Sequence, residues 1–414
     1  MSCRSFKFPI SEKKSFKLLL LLTLTLTLTL ASDDFFQVKD KILDESAFKL
    51  GFLYFTPLFL LENVGYSNNI YNYENKQVAD WTADLGLGLR ASAIAANRII
   101  LQAEDLPYYS YYQKTTNQRA WSNRFGAKAF SYVGPFNLKA GYAQNILRLR
   151  PTLEFGRPFH FERREWSGEI DIGRTWSLFL TAYARFETLD YGVDPYLEGV
   201  NLAERLNYQL NTFGLNLNQK VFTGTIIYAN CQLSNYAFAF SSERDARAQQ
   251  LAVGVKFPEI GVLQGSFQIG LKRFEPSNPL FQTPQRPNGR GDIRVTLMER
   301  LHLNAFYELQ TYFSYSSSDL FYDNHAFGGS AEIYLTRFLK AGATFQDSRL
   351  KYYSFLDLAL QRNDRWRLQR FYLAVPFLGN TAIGFSYNIN RLTSDVLNFD
   401  QYYKFWGGFI SYEF

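Results

Sequence analysis

Leu301-His302-Leu303-Asn304-Ala305-Phe306-Tyr307-Glu308-Leu309-Gln310-Thr311-Tyr312-Phe313 repeats with a period of two. Successive side chains of a strand point to opposite faces. Leu301, Leu303, Ala305, Tyr307 and Leu309 therefore share an oily face, and His302, Asn304, Glu308 and Gln310 share a mostly wet one. A helix would need apolar residues at a 3.6-residue spacing, so this stretch is a half-buried strand. Ile383, Phe385, Tyr387 and Ile389 alternate in the same way with Gly384, Ser386, Asn388 and Asn390, as do Leu339, Ala341, Ala343 and Phe345 with Lys340, Gly342, Thr344 and Gln346.

Extending the pattern in both directions predicts eighteen strands, near 50–61, 80–92, 97–106, 121–132, 136–147, 165–173, 176–187, 205–217, 222–233, 247–257, 262–274, 289–298, 301–313, 325–336, 338–349, 365–376, 380–391 and 403–414. Short connections such as Gly134-Pro135 and Gly379-Asn380 alternate with long polar ones such as Pro276–Asn288. Most strands are longer than the usual five or six residues of globular proteins, and about 9–11 tilted residues cross a hydrocarbon core. Many wet faces carry charge at mid-strand, including Asp84, Lys128, Glu169, Asp171, Arg185, Lys272, Arg294 and Glu332. A soluble β-sandwich also alternates, but it has no need of such long strands. The expected fold is all-β, a transmembrane antiparallel up-and-down β-barrel of about 18 strands, with 16 as the alternative. Its short turns face the periplasm and its long loops the exterior.

Composition agrees. The 414 residues include 39 Phe, 28 Tyr and 6 Trp. The mean hydropathy is nevertheless −0.21, so polar residues are interleaved with apolar ones. A hydrophobic content of 47% excludes disorder. Beyond the N-terminus no apolar run reaches the roughly 18 residues of a membrane-spanning helix.

Lys13, Lys14 and Lys17 precede an apolar run from Leu18 to Ala31, followed by Ser32, Asp33 and Asp34. This is the layout of a secretory signal peptide. The expected organisation is a signal peptide at 1–31, a short periplasmic segment at 32–49 and a barrel at 50–414. Removing 1–31 takes away five of the 44 cations and one of the 38 anions, leaving 39 against 37, so the formal net charge falls from +6 to +2. The charge therefore gives no case for nucleic acid as a partner. Cys231 alone remains of the two cysteines, which excludes an internal disulfide or a Cys-based metal site.

The chain ends Tyr403-Lys404-Phe405-Trp406-Gly407-Gly408-Phe409-Ile410-Ser411-Tyr412-Glu413-Phe414. This resembles the C-terminal signature of bacterial outer-membrane barrels, which implies Phe414 as an assembly signal and the barrel-assembly machinery, with periplasmic chaperones, as partners. Glu62-Asn63-Val64-Gly65-Tyr66-Ser67-Asn68-Asn69-Ile70-Tyr71 resembles the segment after the opening strand of putative beta-barrel porins of the exopolysaccharide- or capsule-associated type. This chain has Ser67-Asn68-Asn69 where that family often has Asp-Ser-Asn. The resemblance implies a porin-like channel, with a link to surface polysaccharide export.

Chemistry-bearing motifs are sparse. The chain has three His, no HExxH and no nucleotide-binding glycine pattern after a strand. His325 with Asp323 and Ser316–Ser318 is the best hydrolase candidate, although solvated loops are rich in the same residue types. The expectation is no enzyme and no cofactor. The richest constellation is the third long loop, where Arg148, Arg150, Arg157, Arg163 and Arg164 lie among Glu154, Glu162 and Glu165. Such a loop either faces lipopolysaccharide, whose phosphates attract Arg, or folds inward as a charged constriction. The strands themselves balance Lys128, Lys139 and Arg185 against Glu169 and Asp171, which predicts modest ion selectivity. The expected function is passive diffusion of small polar solutes across the bacterial outer membrane, among outer-membrane lipid and lipopolysaccharide. The rival is a non-conducting structural or adhesin-like barrel.

Overall fold

A computed structural model describes residues 35–413, apart from 73–76, 151–153, 156, 193–195, 198, 279–284, 299, 317–318, 355–361, 378–380 and 397–398. The signal peptide, the Gly379-Asn380 turn and Phe414 lie outside the described residues.

The chain forms one closed antiparallel barrel of eighteen strands, the number given by the alternation. In chain order these are β1 (Leu53–Ser67), β2 (Asp80–Ala95), β3 (Ile99–Tyr112), β4 (Ala120–Val133), β5 (Phe136–Leu149) and β6 (Phe159–Ile172). Then come β7 (Leu178–Asp190), β8 (Tyr208–Lys220), β9 (Ile226–Phe238), β10 (Ala246–Ile260), β11 (Leu263–Pro276) and β12 (Gln285–Leu297). The last six are β13 (Leu301–Phe313), β14 (Asp319–Thr336), β15 (Leu339–Ser354), β16 (Asn363–Phe377), β17 (Thr381–Ser394) and β18 (Gln401–Glu413). Each pairs with its neighbour in sequence, and β1 also pairs with β18, so no edge is left open. In lipid an open edge would leave backbone N–H and C=O groups without partners, at several kcal/mol each.

Alternation along the strands sorts side chains to the two faces. On β9, Tyr228, Asn230 and Ser234 are buried on the lumen side, while Ile227 and Leu233 are exposed outside. Leu87 and Leu89 on β2, Leu215 and Leu217 on β8, and Leu251 and Val253 on β10 extend the exposed apolar belt. Asp105 on β3 is an exception, an exposed carboxylate between Ala103 and Pro107. The β2–β3 turn is tight, with Ala96 and Asn97 both at positive φ and the Arg98 N–H donating to the Ala95 carbonyl at 3.0 Å. Two-residue hairpins of that kind match the twist of their strands.

The segment Glu62–Tyr71, which resembles the porin family, closes the barrel. Pairing of β1 with β18 shifts between Leu61 and Val64, where Asn63 has φ +53°. Beyond this bulge a Cβ on Gly65 would lie 2.2 Å from the Trp406 carbonyl oxygen, so only glycine allows the two strands to meet. Tyr66 meets Trp406 in a tilted contact at 4.8 Å and Trp81 edge-on at 5.7 Å. Asn68 Oδ1 accepts from the Lys404 N–H at 2.6 Å, and Asn69 Nδ2 donates to the Tyr402 carbonyl at 2.7 Å.

Residues ahead of the barrel are not a plain tether. Helix α1 (Phe35–Glu45) packs at the short-turn end, burying Phe35 and Ile42 against Tyr54, Ile100 and Phe130 of β1, β3 and β4. Its Glu45 approaches Arg90 at 3.9 Å. The sequence offered too few residues here for a periodicity argument.

Replacing Gly65 by Val should prevent closure. Refolded Gly65→Val protein is expected to lose the heat-modifiable band on a denaturing gel that a closed barrel gives, whereas Asn97→Gly keeps it.

Candidate functional site

The lumen has two kinds of wall. On β6 and β7, Arg163 donates to Glu187 at 2.8 Å and lies 3.5 Å from Glu165, while Arg185 reaches Glu165 at 2.7 Å and Glu187 at 3.0 Å. The Tyr208 hydroxyl of β8 donates to Glu187 at 2.9 Å. Arg163, Glu165 and Glu187 are buried and Arg185 is half-buried beside them, and their charges cancel at short range. Nearer the short turns, Lys139 pairs with Glu169 at 2.7 Å. Asp171 accepts from Thr181 at 2.7 Å, Arg174 at 2.9 Å and Asn137 at 3.3 Å.

The wall made by β8 to β11, with Tyr183 of β7, carries Lys256 and Lys272 and is otherwise mostly uncharged toward the lumen. Asn230 donates to Asn216 at 2.6 Å and to the Tyr183 hydroxyl at 3.0 Å. Tyr183 in turn donates to Gln232 at 3.0 Å, and Tyr228 to Gln268 at 3.1 Å. Tyr183 lies flat across Gly214 of the adjoining strand, where a Cβ would come within 2.2 Å of the ring. Carboxamides and tyrosines held in this way offer donors and acceptors to a polar solute beside those two lysines.

At the long-loop end the lumen is filled. Between β5 and β6, Glu154 and Phe155 are buried. Phe155 meets Phe159 and Tyr315 at ring distances of 5.4 Å and stacks on Tyr191 at 6.2 Å. Leu202 and Leu206 of the short helix α2 (Leu202–Leu206), with Tyr322, Tyr352, Trp366 and Phe399, complete an apolar core across the mouth. Ser314 Oγ donates to Glu154 at 2.7 Å and the Tyr315 N–H at 3.4 Å. Arg244 donates to the Ser314 carbonyl. Arg362 stacks on Tyr352 at 4.3 Å and Phe399 at 3.9 Å while holding Asp364 with two bonds of 3.0 and 2.5 Å. Below this core lies a cavity of about 340 Å³, bordered by Glu154, Arg163, Tyr183, Tyr228, Lys272 and Arg290. That is the size of a small-molecule site.

The five loop arginines are not brought together. Arg148 donates to Gln118 at 3.1 Å, and Arg150 to the Ile70 carbonyl at 2.7 Å and Asn72 at 2.9 Å. Arg157 donates to the Tyr196 carbonyl. Arg148 at the end of β5, and Arg150 and Arg157 beyond it, fasten this region to its neighbours. Placing Arg148, Arg163 and Arg164 in the loop requires correction, because β5 runs to Leu149 and β6 begins at Phe159. Arg163 faces the lumen, while Arg164 faces outward, 55% exposed, on Glu162. Lys128 is exposed in the lumen, and Lys139, Arg185, Glu169 and Asp171 sit on its wall.

His325 faces outward from β14, and the Asp323 carboxylate is held by Thr311 at 2.6 Å and Tyr353 at 2.8 Å. Ser317 and Ser318 lie outside the described residues. Among the described residues no three His, Cys, Asp or Glu side chains group as metal ligands. The residues missed in the sequence are the aromatics of the mouth, whose signal was the Tyr and Phe content of loops expected to be solvated.

A closed barrel with an exposed apolar belt and a polar lumen defines an outer-membrane barrel of porin type. No protein-family model matches the chain, and no curated protein matches its sequence. Solved structures do match. A BenF-like porin from Pseudomonas fluorescens aligns with a TM-score of 0.52 at 12% identity, over 88% of this chain and 99% of that one. OccK9 (OpdG) of Pseudomonas aeruginosa aligns at 0.50 and 12%, over 87% and 97%. The outer membrane protein OpdK of the same organism aligns at 0.50 and 11%, over 87% and 98%. At these identities the likeness is one of fold. Together with the belt it places this barrel in a bacterial outer membrane.

Burial raises the Glu154 carboxyl from its ordinary 4.5 to about 7, against the opposing pull of Arg362 and Ser314. A carboxyl that binds its proton more tightly when docked favours the infolded loop most below pH 4.5. That contribution, about 3 kcal/mol, is lost as the pH rises through about 7. Amide exchange at 154–159, corrected for its intrinsic pH dependence, should therefore quicken between pH 5 and pH 8, and Glu154→Gln should abolish the step.

Proposed function

We propose that this chain is a porin-like channel for passive diffusion of small polar solutes, held narrow by loops folded into its mouth. The observation that carries the reading is the polar lumen, lined by paired charges and oriented carboxamides along one wall and ending in a small cavity under the 150–158 connection. A barrel of 16–18 strands is wide enough for an aqueous channel, so its passage is set by what fills it. The near-balanced charge on the walls gives weak ion selectivity.

A link to surface polysaccharide export would rest on the resemblance at Glu62–Tyr71. Those residues serve the β1–β18 closure, and the cavity suits a single small solute, so the small-solute reading is favoured. Arg148, Arg150 and Arg157 act in this reading as anchors of the constricting loop, with Arg163 and Arg185 on the constriction wall. Phe414 remains proposed as the assembly signal.

Conductance in planar bilayers tests the channel. The wild type is expected to pass small, steady currents, and Phe155→Ser/Tyr315→Ser, which loosens the mouth, to pass several-fold larger ones. Silence of both folded proteins would make the barrel a closed structural one. Replacing Glu165 and Glu187 by Gln leaves Arg163 and Arg185 in excess and should shift the reversal potential toward anions.

A further inference from the structure

We propose that the outer wall of β14–β18, near the long-loop end, binds a multiply phosphorylated, acylated glycolipid of the lipopolysaccharide class. The inference rests on the outer-membrane placement of the barrel but not on its conducting. Arg349 and Lys351 on β15, Arg365 and Arg367 on β16, Arg391 on β17 and Lys404 on β18 share the outward face. The strand register sets Arg349 directly opposite Arg365, and Arg367 directly opposite Arg391. Like charges so placed destabilise a sheet unless an anion sits among them.

The protein's own anions do not suffice. Asp347, fully buried, takes Arg365 at 2.6 Å and Arg367 at 3.1 Å. Asp323, opposite Lys351, is already held by Thr311 and Tyr353. Within the strands six cations thus face Asp323 and Asp347; at the upper margin Asp395 is engaged by Asn363 and Asp400 by the Ser394 N–H, and neither Arg349 nor Arg391 makes an ion pair with a described residue. Arginine guanidinium groups match phosphate in a bidentate fashion.

On the same outward face, toward the short turns and across β12–β16, lies a groove of about 570 Å³ that shares β15 and β16 with the cationic patch. Ala305, Ala331 and Ala343 form its floor, with Ile293 and Leu303 to one side and Phe345 and Phe371 to the other. Phe345 and Asp347 are two residues apart on β15, as are Arg367 and Gln369 on β16, so the groove runs into the cationic patch. Phosphates on the arginines with an acyl chain in the groove satisfy both surfaces with one amphiphile. A soluble anion would use only the patch, and a zwitterionic phospholipid only one phosphate.

The full chain in nanodiscs can be tested by native mass spectrometry with bisphosphorylated lipid A, with the same lipid after dephosphorylation, and with phosphatidylethanolamine. The wild type is expected to retain bisphosphorylated lipid A about tenfold better than either other lipid. Arg349→Gln/Arg391→Gln should remove that preference, and Ala343→Trp should weaken retention by filling the groove. Equal retention of the phosphorylated and dephosphorylated forms by the wild type, or an unchanged preference in the folded arginine variant, overturns the proposal. If the variant does not fold, the wild-type comparison decides alone. Because no current is measured, failure here leaves the channel reading intact, and a silent barrel leaves this one intact.

Discussion

Everything in this molecule depends on the meeting of β1 with β18. Seventeen hairpin or loop connections bring neighbouring strands together locally, but the last pairing joins residues more than 300 positions apart. Without it two strands would present unpaired backbone to hydrocarbon, where no water can substitute. The local chemistry is correspondingly demanding: a bulge at Asn63, glycine at 65 facing Trp406, and asparagines 68 and 69 bonded to the backbone of β18. The stretch that resembles a porin family on sequence thus has an architectural explanation, and says more about how the sheet closes than about what passes through it.

The fold was legible because the membrane enforces it. A side chain on the lipid face must be apolar and its neighbours, facing water, need not be, so strand parity is written directly into segments such as Leu301–Phe313. Where strands rise beyond the belt the rule lapses. The predicted sixth strand starts at Glu165, but β6 starts at Phe159; the predicted fourteenth starts at His325, but β14 starts at Asp319. In these extensions Phe161 and Tyr322 are buried by infolded loops while Glu162 and His325 face outward, so the oily face inverts. The end of β1 was missed for another reason, since a bulge shifts parity by one residue.

The functional parts were less legible, for reasons of distance. Glu154 and Ser314 are 160 residues apart, and nothing local indicates that Glu154 and Phe155 are buried against Ser314 and Tyr315. The arginine-rich stretch illustrates the same limit. Five cations close in sequence were divided by strand parity and loop path: Arg163 went to the lumen, Arg164 to the outside, and Arg148, Arg150 and Arg157 to three separate anchors. Conversely, the cations gathered on the outer wall come from four different strands, and only the barrel register unites them.

The two charged surfaces differ in a way that bears on what each can do. In the lumen, Arg163 and Arg185 face Glu165 and Glu187 from adjacent strands, and each guanidinium touches both carboxylates. Such a cluster has already spent its charge internally and supports a shaped, weakly selective passage. On the outside, Asp347 holds Arg365 and Arg367, while Arg349 and Arg391 stand beside them without an ion pair to a described residue, which is the place the proposed glycolipid phosphates would take. Under these two proposals the surfaces therefore divide the work: paired charges inside shape a passage, and cations outside are free to meet the charged groups of a surrounding leaflet.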